Sequence, residues 1–284
     1  MEFLKYPHLE RFGNDEVQGI EFGECWIFPK LDGANAQLWW KTYKDGVSDL
    51  GFGSRNRDLG GFGGNDNQGF LEYFKSRHTS DNYVAFYFKY PNYRLYGEWL
   101  VPHAFKGYRD DAWRRFWIFD VTAQDSDGNE HFLSYDVYEP MLREFNLDYV
   151  VPINSVMNPT EDVLLQFLDK ATFLCKDGVG PGEGIVIKNY GFYNKFQRQT
   201  WAKIVRQEYK EMHTRHHGVD ELKLTESPEA KIIDRYVSKT LVDKEFLKIE
   251  NWDSRKIPQL FGVVYHCLVT EELWSALKAY NDPT

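Results

Sequence analysis

A lysine that ends a strand-like run and is followed by a tight turn can serve as a nucleophile. Lys30-Leu31-Asp32-Gly33-Ala34-Asn35 has that form, set between Trp26-Ile27-Phe28 and Ala36-Gln37-Leu38-Trp39-Trp40. The amine attacks only after losing a proton, which requires neighbouring cations or a site shielded from water. Gly33 permits close approach of backbone to a phosphate, and Asp32 and Asn35 add an acceptor and an amide beside the lysine. A lone KxDGxN is also how a surface β-turn with Asp-Gly at its corner reads, so the segment takes its meaning from the residues downstream of it. Five segments come after it in order: Ser54-Arg55-Asn56, Tyr96-Gly97-Glu98, Phe116-Trp117-Ile118-Phe119-Asp120, Glu183-Gly184-Ile185-Val186-Ile187-Lys188 and Trp201-Ala202-Lys203-Ile204-Val205. Cations, a metal-binding carboxylate and an aromatic face are together a sufficient set for phosphoryl transfer from a nucleoside triphosphate.

The elements that must position these residues are legible from periodicity. From about residue 17 to residue 206, short aromatic and β-branched runs alternate with turn residues, as in an antiparallel, strand-rich domain. Strands are expected at Trp26-Ile27-Phe28, Ala36-Gln37-Leu38-Trp39-Trp40, Val84-Ala85-Phe86-Tyr87-Phe88, Phe116-Trp117-Ile118-Phe119 and Ile185-Val186-Ile187. Helical spacing predicts helices over residues 70–75, 135–145 and 160–170, the last capped by Thr160. Residues 51–69, rich in Gly, Asn and Asp, read as a mobile loop, with Gly60-Gly61-Phe62-Gly63-Gly64 as a flap rather than a phosphate loop. After Val205 a charged, helix-favouring stretch begins, with apolar spacing at Ile232, Ile233, Tyr236, Val237 and Leu241 and, past a break at Pro258, at Leu273, Trp274, Leu277 and Tyr280. Two domains are expected, residues 1–206 and a helical unit at 207–284.

Composition narrows the class. The 284 residues are 42% hydrophobic and 17% aromatic, enough for a sizeable core. A net charge of −9 argues against coating nucleic acid with the whole surface and leaves room for a local basic cleft. Cys25, Cys175 and Cys267 are widely spaced without a CxxC, which fits buried thiols in a reducing compartment. No signal segment opens the chain and no run approaches the ~18 apolar residues of a membrane span, so a soluble cytoplasmic protein, in a host cytoplasm if viral, is expected. His213, His216 and His217 share a helix face without a supporting ligand and read as an exposed helix end, while His103 and Lys106 near Glu98 read equally as groove charge or as loop residues.

With Lys30, the five later segments resemble, in order, motifs I, Ia, III, IIIa, IV and V of the covalent nucleotidyltransferase superfamily of DNA ligases, RNA ligases and mRNA capping enzymes. The Asn of KxDGxN, the GEW and EGIVIK segments and the compact length are most similar to the bacteriophage RNA ligase 2-like branch, over about residues 25–206. The resemblance implies an α+β fold, with an antiparallel-sheet nucleotidyltransferase (ATP-grasp-like ligase) domain and a small C-terminal helical domain. It implies that Lys30 attacks the α-phosphate of ATP to form a lysyl-adenylate, that Glu98 holds the ribose hydroxyls and that Phe119 stacks on adenine. Glu183 would sit near Mg2+ (or Mn2+), Lys188 and Lys203 would contact the α-phosphate, Arg55 would meet a phosphate or the nucleic-acid end, and Asn35 would act when the 5′-phosphate is placed against the adenylate.

Two departures stand out. Lys203 is followed by Ile204, Val205 and Arg206 where many relatives carry KxK, and Phe28-Pro29 occupies places where an acidic residue often lies near adenine, leaving adenine recognition to backbone groups. The expected reaction joins 3′-OH and 5′-phosphate ends of RNA in a nicked duplex, by a monomer, with the tail gripping the duplex, so that removing residues 215–284 spoils sealing and spares adenylation. A small DNA ligase or capping guanylyltransferase is the alternative, but both usually carry an oligonucleotide-binding barrel after motif V, which the tail does not resemble. A catalytically silent end-binding module would have no need for a nucleophile.

Overall fold

The computed structural model describes residues 1–43, 45–60, 66–75, 77–102, 104–206, 236–249 and 252–272. The strands, in chain order, are β1 (Glu10–Arg11), β2 (Glu24–Lys30), β3 (Ala34–Thr42), β4 (Ser48–Ser54), β5 (Tyr93–Trp99), β6 (Phe116–Gln124), β7 (Glu130–Phe132), β8 (Asn154–Met157), β9 (Gly184–Lys188) and β10 (Ala202–Val205). They form two five-stranded sheets, ordered β1-β10-β9-β2-β8 and β4-β3-β5-β6-β7, and every pairing is antiparallel except the two-residue contact of β1 with β10. The helices among the described residues are α1 (Phe70–Lys75), α2 (Arg77–Lys89), α3 (Tyr135–Glu144), α4 (Glu161–Gln166), α5 (Lys239–Leu247) and α6 (Ile257–Cys267). The chain is thus α+β, built on antiparallel-rich sheets, and no described helix is long and apolar enough to cross a membrane.

Strand alternation sorts the side chains into three cores. Ala36, Leu38, Leu50, Phe52, Leu95 and Ile118 leave one face of the β3–β7 sheet to pack on Phe70, Phe74, Tyr83, Phe86, Tyr138 and Leu142 of α1, α2 and α3. Cys25, Ile27, Ile185, Ile187, Ala202 and Ile204 leave the far face of the other sheet, against Leu164 of α4 and the 3-10 turn at Phe167–Lys170. Between the sheets lies a third cluster, with Tyr6, Phe28, Tyr96, Trp117, Val186 and Trp201, and this inner layer holds the polar residues of interest.

The helices expected over 70–75, 135–145 and 160–170 are present, and the Thr160 side chain accepts from the Val163 N–H at 3.4 Å. Two expectations are corrected. Val84 to Phe88 belongs to α2: Tyr83, Phe86 and Tyr87 are buried at helical spacing, and that one-sided burial outweighs the strand preference of the same residues. The supposed loop at 51–69 begins inside β4, where Gly51 and Gly53 are strand glycines. A Cβ on Gly51 would lie 2.3 Å from the Trp39 ring, and one on Gly53 would lie 2.8 Å from Gln37, so the neighbouring strand's side chains fill the space the glycines leave. Residues 61–64 of the flap, Ile232, Ile233 and the 273–280 pattern lie outside the described residues. Cys25 and Cys175 are buried free thiols, whereas Cys267 is only half-buried.

Candidate active site

On β2, Cys25 and Ile27 face the α4 side, so period-two alternation turns Trp26, Phe28 and the terminal Lys30 toward the space between the sheets. Lys30 pairs with Gly184, Phe28 with Val186 and Trp26 with Lys188, while Lys203 pairs with Val186 from β10. The same parity therefore puts Lys30, Lys188 and Lys203 on one face of one sheet. The opposing sheet contributes Asn35, Gln37 and Trp39 from β3, and Arg94, Tyr96 and Glu98 from β5, with Asn35 directly opposite Glu98 in the ladder.

Around Lys30 the charges are tightly arranged. Lys30 Nζ donates to Glu183 Oε2 at 2.5 Å, with the two side chains 17% and 13% exposed, a pairing held out of bulk water but still reachable from it. Glu98 Oε1 accepts the Gly33 N–H at 2.9 Å. Burial pushes the Glu98 carboxyl up to about 7; Lys30 opposes the rise, while Glu183 and Asp32 add to it. Gly33 serves this contact, since a Cβ there would stand 2.6 Å from the Trp99 carbonyl and 3.1 Å from Glu98 Cγ. Sequence suggests that Gly33 makes room for a phosphate; in the fold it makes room for β5. Asp32 is buried and structural: its Oδ2 accepts the Phe105 N–H at 2.6 Å, and its own N–H donates to the Tyr108 hydroxyl at 2.9 Å.

A second centre lies further along β9. Lys188 is 2% exposed and donates to Asp120 Oδ1 at 2.7 Å and to the Phe119 carbonyl at 2.5 Å. Its ammonium stands 4.3 Å from the centre of the Phe28 ring and 5.7 Å from that of Phe119. Burial pushes the Lys188 amine below its usual range, and Asp120 opposes the shift. Asp120 is fully buried and also accepts from the Tyr6 hydroxyl at 2.6 Å and from Trp201 Nε1 at 3.0 Å. The pairing of β5 with β6 explains how Phe119 and Asp120 can share one face. Tyr96 lies opposite Asp120 and Gly97 opposite Ile118, so Phe119 is an extra residue, a β-bulge that aims two consecutive side chains inward. Phe119 is half-buried, with the Tyr6 ring edge-on at 5.3 Å.

Arg55, just past β4, acts on Tyr6 through its charge and so lies toward this second centre. Among the described residues, Arg55 Nε and Asn35 Oδ1 are buried side-chain atoms without a hydrogen-bond partner. Leaving a buried polar atom unsatisfied costs about 1–3 kcal/mol, and a bound polar group would remove that cost. Arg206 turns the other way, donating to the Leu168 carbonyl at 3.2 Å and pairing with Asp169. Three residues beyond Lys203, it falls on the opposite face and does not replace a second inward lysine.

The fold therefore brings Lys30, Asn35, Glu98, Phe119, Glu183, Lys188 and Lys203 to the inner layer, with Arg55 at its edge. Lys106 is exposed, and His103, His213, His216 and His217 lie outside the described residues. Sequence reading missed Tyr6, Tyr108 and Asp120 as supports and Lys244 of α5, whose Nζ lies 3.8 Å from Glu183 Oε1. Asp120 is the chain neighbour of Phe119, but a bulge leaves no mark in periodicity. Among the described residues, no group of three or more His, Cys, Asp or Glu is arranged to hold a metal. The half-buried Glu183 still fits Mg2+ or Mn2+ bound with a triphosphate, since Mg2+ commonly takes one or two carboxylates and fills its shell with water and phosphate oxygens.

A profile of the RNA ligase family matches residues 23–205. Among solved structures, an RNA ligase of Naegleria gruberi with pyrophosphate is similar at 19% identity and a TM-score of 0.51, over 74% of this chain and 58% of that one. Mutants of the same ligase with ATP and Mn, and with AMP and Mn, are similar at 18% identity with TM-scores of 0.51 and 0.52. The chain thus spans under two thirds of these structures, and at such identity the likeness is one of fold. No curated protein matches the chain significantly.

Proposed function

The chain belongs to the RNA ligase family, and we propose that it is an ATP-dependent RNA ligase whose nucleophile is Lys30. The observation that carries this reading is the Lys30–Glu183 ion pair facing Glu98 across the two sheets, with Lys188 and Lys203 on the lysine's own face. In the first step the Lys30 Nζ lone pair attacks the α-phosphorus of ATP. The bond from that phosphorus to the β-bridging oxygen breaks and pyrophosphate leaves with the bonding pair; the ammonium gives up two protons to solvent, one to free the lone pair before attack and one after it, leaving lysyl-AMP. Until nucleotide arrives, Glu183 holds the amine by its charge and keeps it aimed into the cleft.

Glu98, on the opposite sheet, is the proposed acceptor for ribose hydroxyls, and a partly protonated carboxyl near neutral pH also donates. Phe119 offers its half-buried ring to adenine. Lys188 has three N–H bonds, two of them directed at Asp120 and the Phe119 carbonyl, so the third remains for a phosphate oxygen. Mg2+ or Mn2+, held at Glu183, supplies charge neutralisation to the triphosphate when bound. In the later steps AMP passes to a 5′-phosphate and a 3′-OH displaces it, with Arg55 Nε donating to the phosphate and Asn35 Oδ1 accepting from the 3′-OH.

Nicked duplex RNA is the proposed substrate, sealed by a monomer in a cytoplasm, and residues 207–284 are proposed to form the helical unit that grips the duplex. The described residues beyond 206 include the helices α5 and α6, which fits the proposed helical unit. The test incubates the protein with α-labelled ATP or GTP and a divalent metal. Label from ATP that is lost in Lys30→Ala supports the reading, and absence of label from both nucleotides sinks it. Sealing of nicked RNA and DNA duplexes, compared side by side, then tests the strand.

A further inference from the structure

The helix α5 reaches the nucleophile's carboxylate from outside the matched family region. Lys244 Nζ stands 3.8 Å from Glu183 Oε1, while Lys30 holds the other oxygen of the same carboxylate at 2.5 Å. Glu183 thus lies between two ammonium groups, one from the sheet and one from the helix. Lys244 is 26% exposed, beyond hydrogen-bonding distance of Glu183, and carried on a helix that is capped at its start and tied to α6. Ser238 caps α5 by accepting the Leu241 N–H at 3.0 Å. The neighbouring Glu245 is buried at 4% exposure and meets Lys248 at 2.5 Å and Cys267 Sγ at 3.4 Å, which ties α5 to α6. Phe246 and Trp252 pack with ring centres 4.6 Å apart just beyond.

The chemistry of the first step asks for a cation at this point. Lys30 loses its charge on becoming a phosphoramidate, and Lys188, its charge balanced by Asp120, has one N–H left for the α-phosphate. In-line displacement sets the departing pyrophosphate on the far side of the α-phosphorus from Lys30, where its growing charge needs partners other than the nucleophile. We propose that Lys244 binds the β- and γ-phosphates of ATP and the departing pyrophosphate, so that α5 completes the nucleotide site. This rests on the proposed adenylation of Lys30 and extends it. Removal of residues 215–284, which sequence alone expects to spare adenylation, takes Lys244 away and weakens it.

The full chain, labelled on Lys30 with α-labelled ATP and freed of nucleotide, is titrated with inorganic pyrophosphate and Mg2+ while the return of label to ATP is followed. Lys244→Ala is expected to raise the half-maximal pyrophosphate concentration about tenfold, the loss of one charge-assisted contact. Transfer of AMP from the same adenylate to a 5′-phosphorylated strand, which involves no pyrophosphate, is affected far less, and Lys244→Arg restores most of the pyrophosphate affinity. Lys239→Ala removes an exposed lysine of the same helix that pairs with Asp243, and is expected to behave as the parent chain. A parental pyrophosphate dependence in Lys244→Ala overturns the proposal, as does an equal loss in both half-reactions or in Lys239→Ala. A parent chain that takes no label overturns the adenylation reading itself.

Discussion

Replacing Asp120 by Asn removes one negative charge from a fully buried position and leaves the shape nearly intact. Asp120 is the counter-ion of Lys188, which is itself 2% exposed, at 2.7 Å. Asn still accepts from Tyr6 and Trp201, which donate to Oδ2 at 2.6 and 3.0 Å, so the loss falls on the ion pair. Breaking a buried pair from one side costs about 3–5 kcal/mol, because the remaining charge must be neutralised or left uncompensated. At roughly 2–4 °C per kcal/mol for a domain of this size, the melting temperature should fall by about 10 °C. Urea unfolding of Asp120→Asn, Lys188→Met and the double variant closes a cycle in which the double variant loses markedly less than the two singles together. The reasoning is refuted if Asp120→Asn melts within about 1 °C of the parent, or if the two losses add to within ~0.5 kcal/mol. Either result would mean that the pair carries little of the inner layer's stability.

Glu98→Gln should change how stability depends on pH. The Glu98 carboxyl is raised from 4.5 to about 7, so its contribution is fully present below 4.5 and is lost as pH rises through 7. At 1.36 kcal/mol per pH unit the parent loses roughly 3 kcal/mol over that window, and a neutral Gln does not. The melting temperature of Glu98→Gln relative to the parent should therefore climb between pH 4.5 and 8 while nucleotide binding weakens; a flat difference would count against the burial argument. Arg206→Ala should leave label uptake from ATP at the parental level and cost at most about 1 kcal/mol, since its partner Asp169 is 82% exposed. A loss comparable to that of Lys203→Ala would show that Arg206 reaches the nucleotide after all.

Much of the site was legible along the chain because strands have a period of two. Lys30, Lys188 and Lys203 each sit at the parity that points inward, and the apolar residues on either side of them declare that parity. The same rule shows why Arg206 does not stand in for a missing lysine. Composition was a poorer guide where neighbours decide: Val84 to Phe88 looks like a strand until Tyr83, Phe86 and Tyr87 find one core, and Gly51 and Gly53 look like a loop until Trp39 and Gln37 cover them.

By itself, the sequence determined the ordered set of charged and aromatic residues, the strand-rich character up to residue 206 and the identity of the candidate nucleophile. Local spacing and side-chain chemistry suffice for the first two, and the third rests on the family resemblance of the ordered segments. Only the tertiary structure decided which charges meet. The Lys188–Asp120 pair spans 68 residues, the Lys30–Glu183 pair 153, and no periodicity encodes contacts that far apart. The bulge at Phe119, the Gly33 contact with β5 and the approach of Lys244 to Glu183 belong to the same class. Each depends on how two separately formed elements pack, and packing is a property of the assembled layers rather than of any one segment.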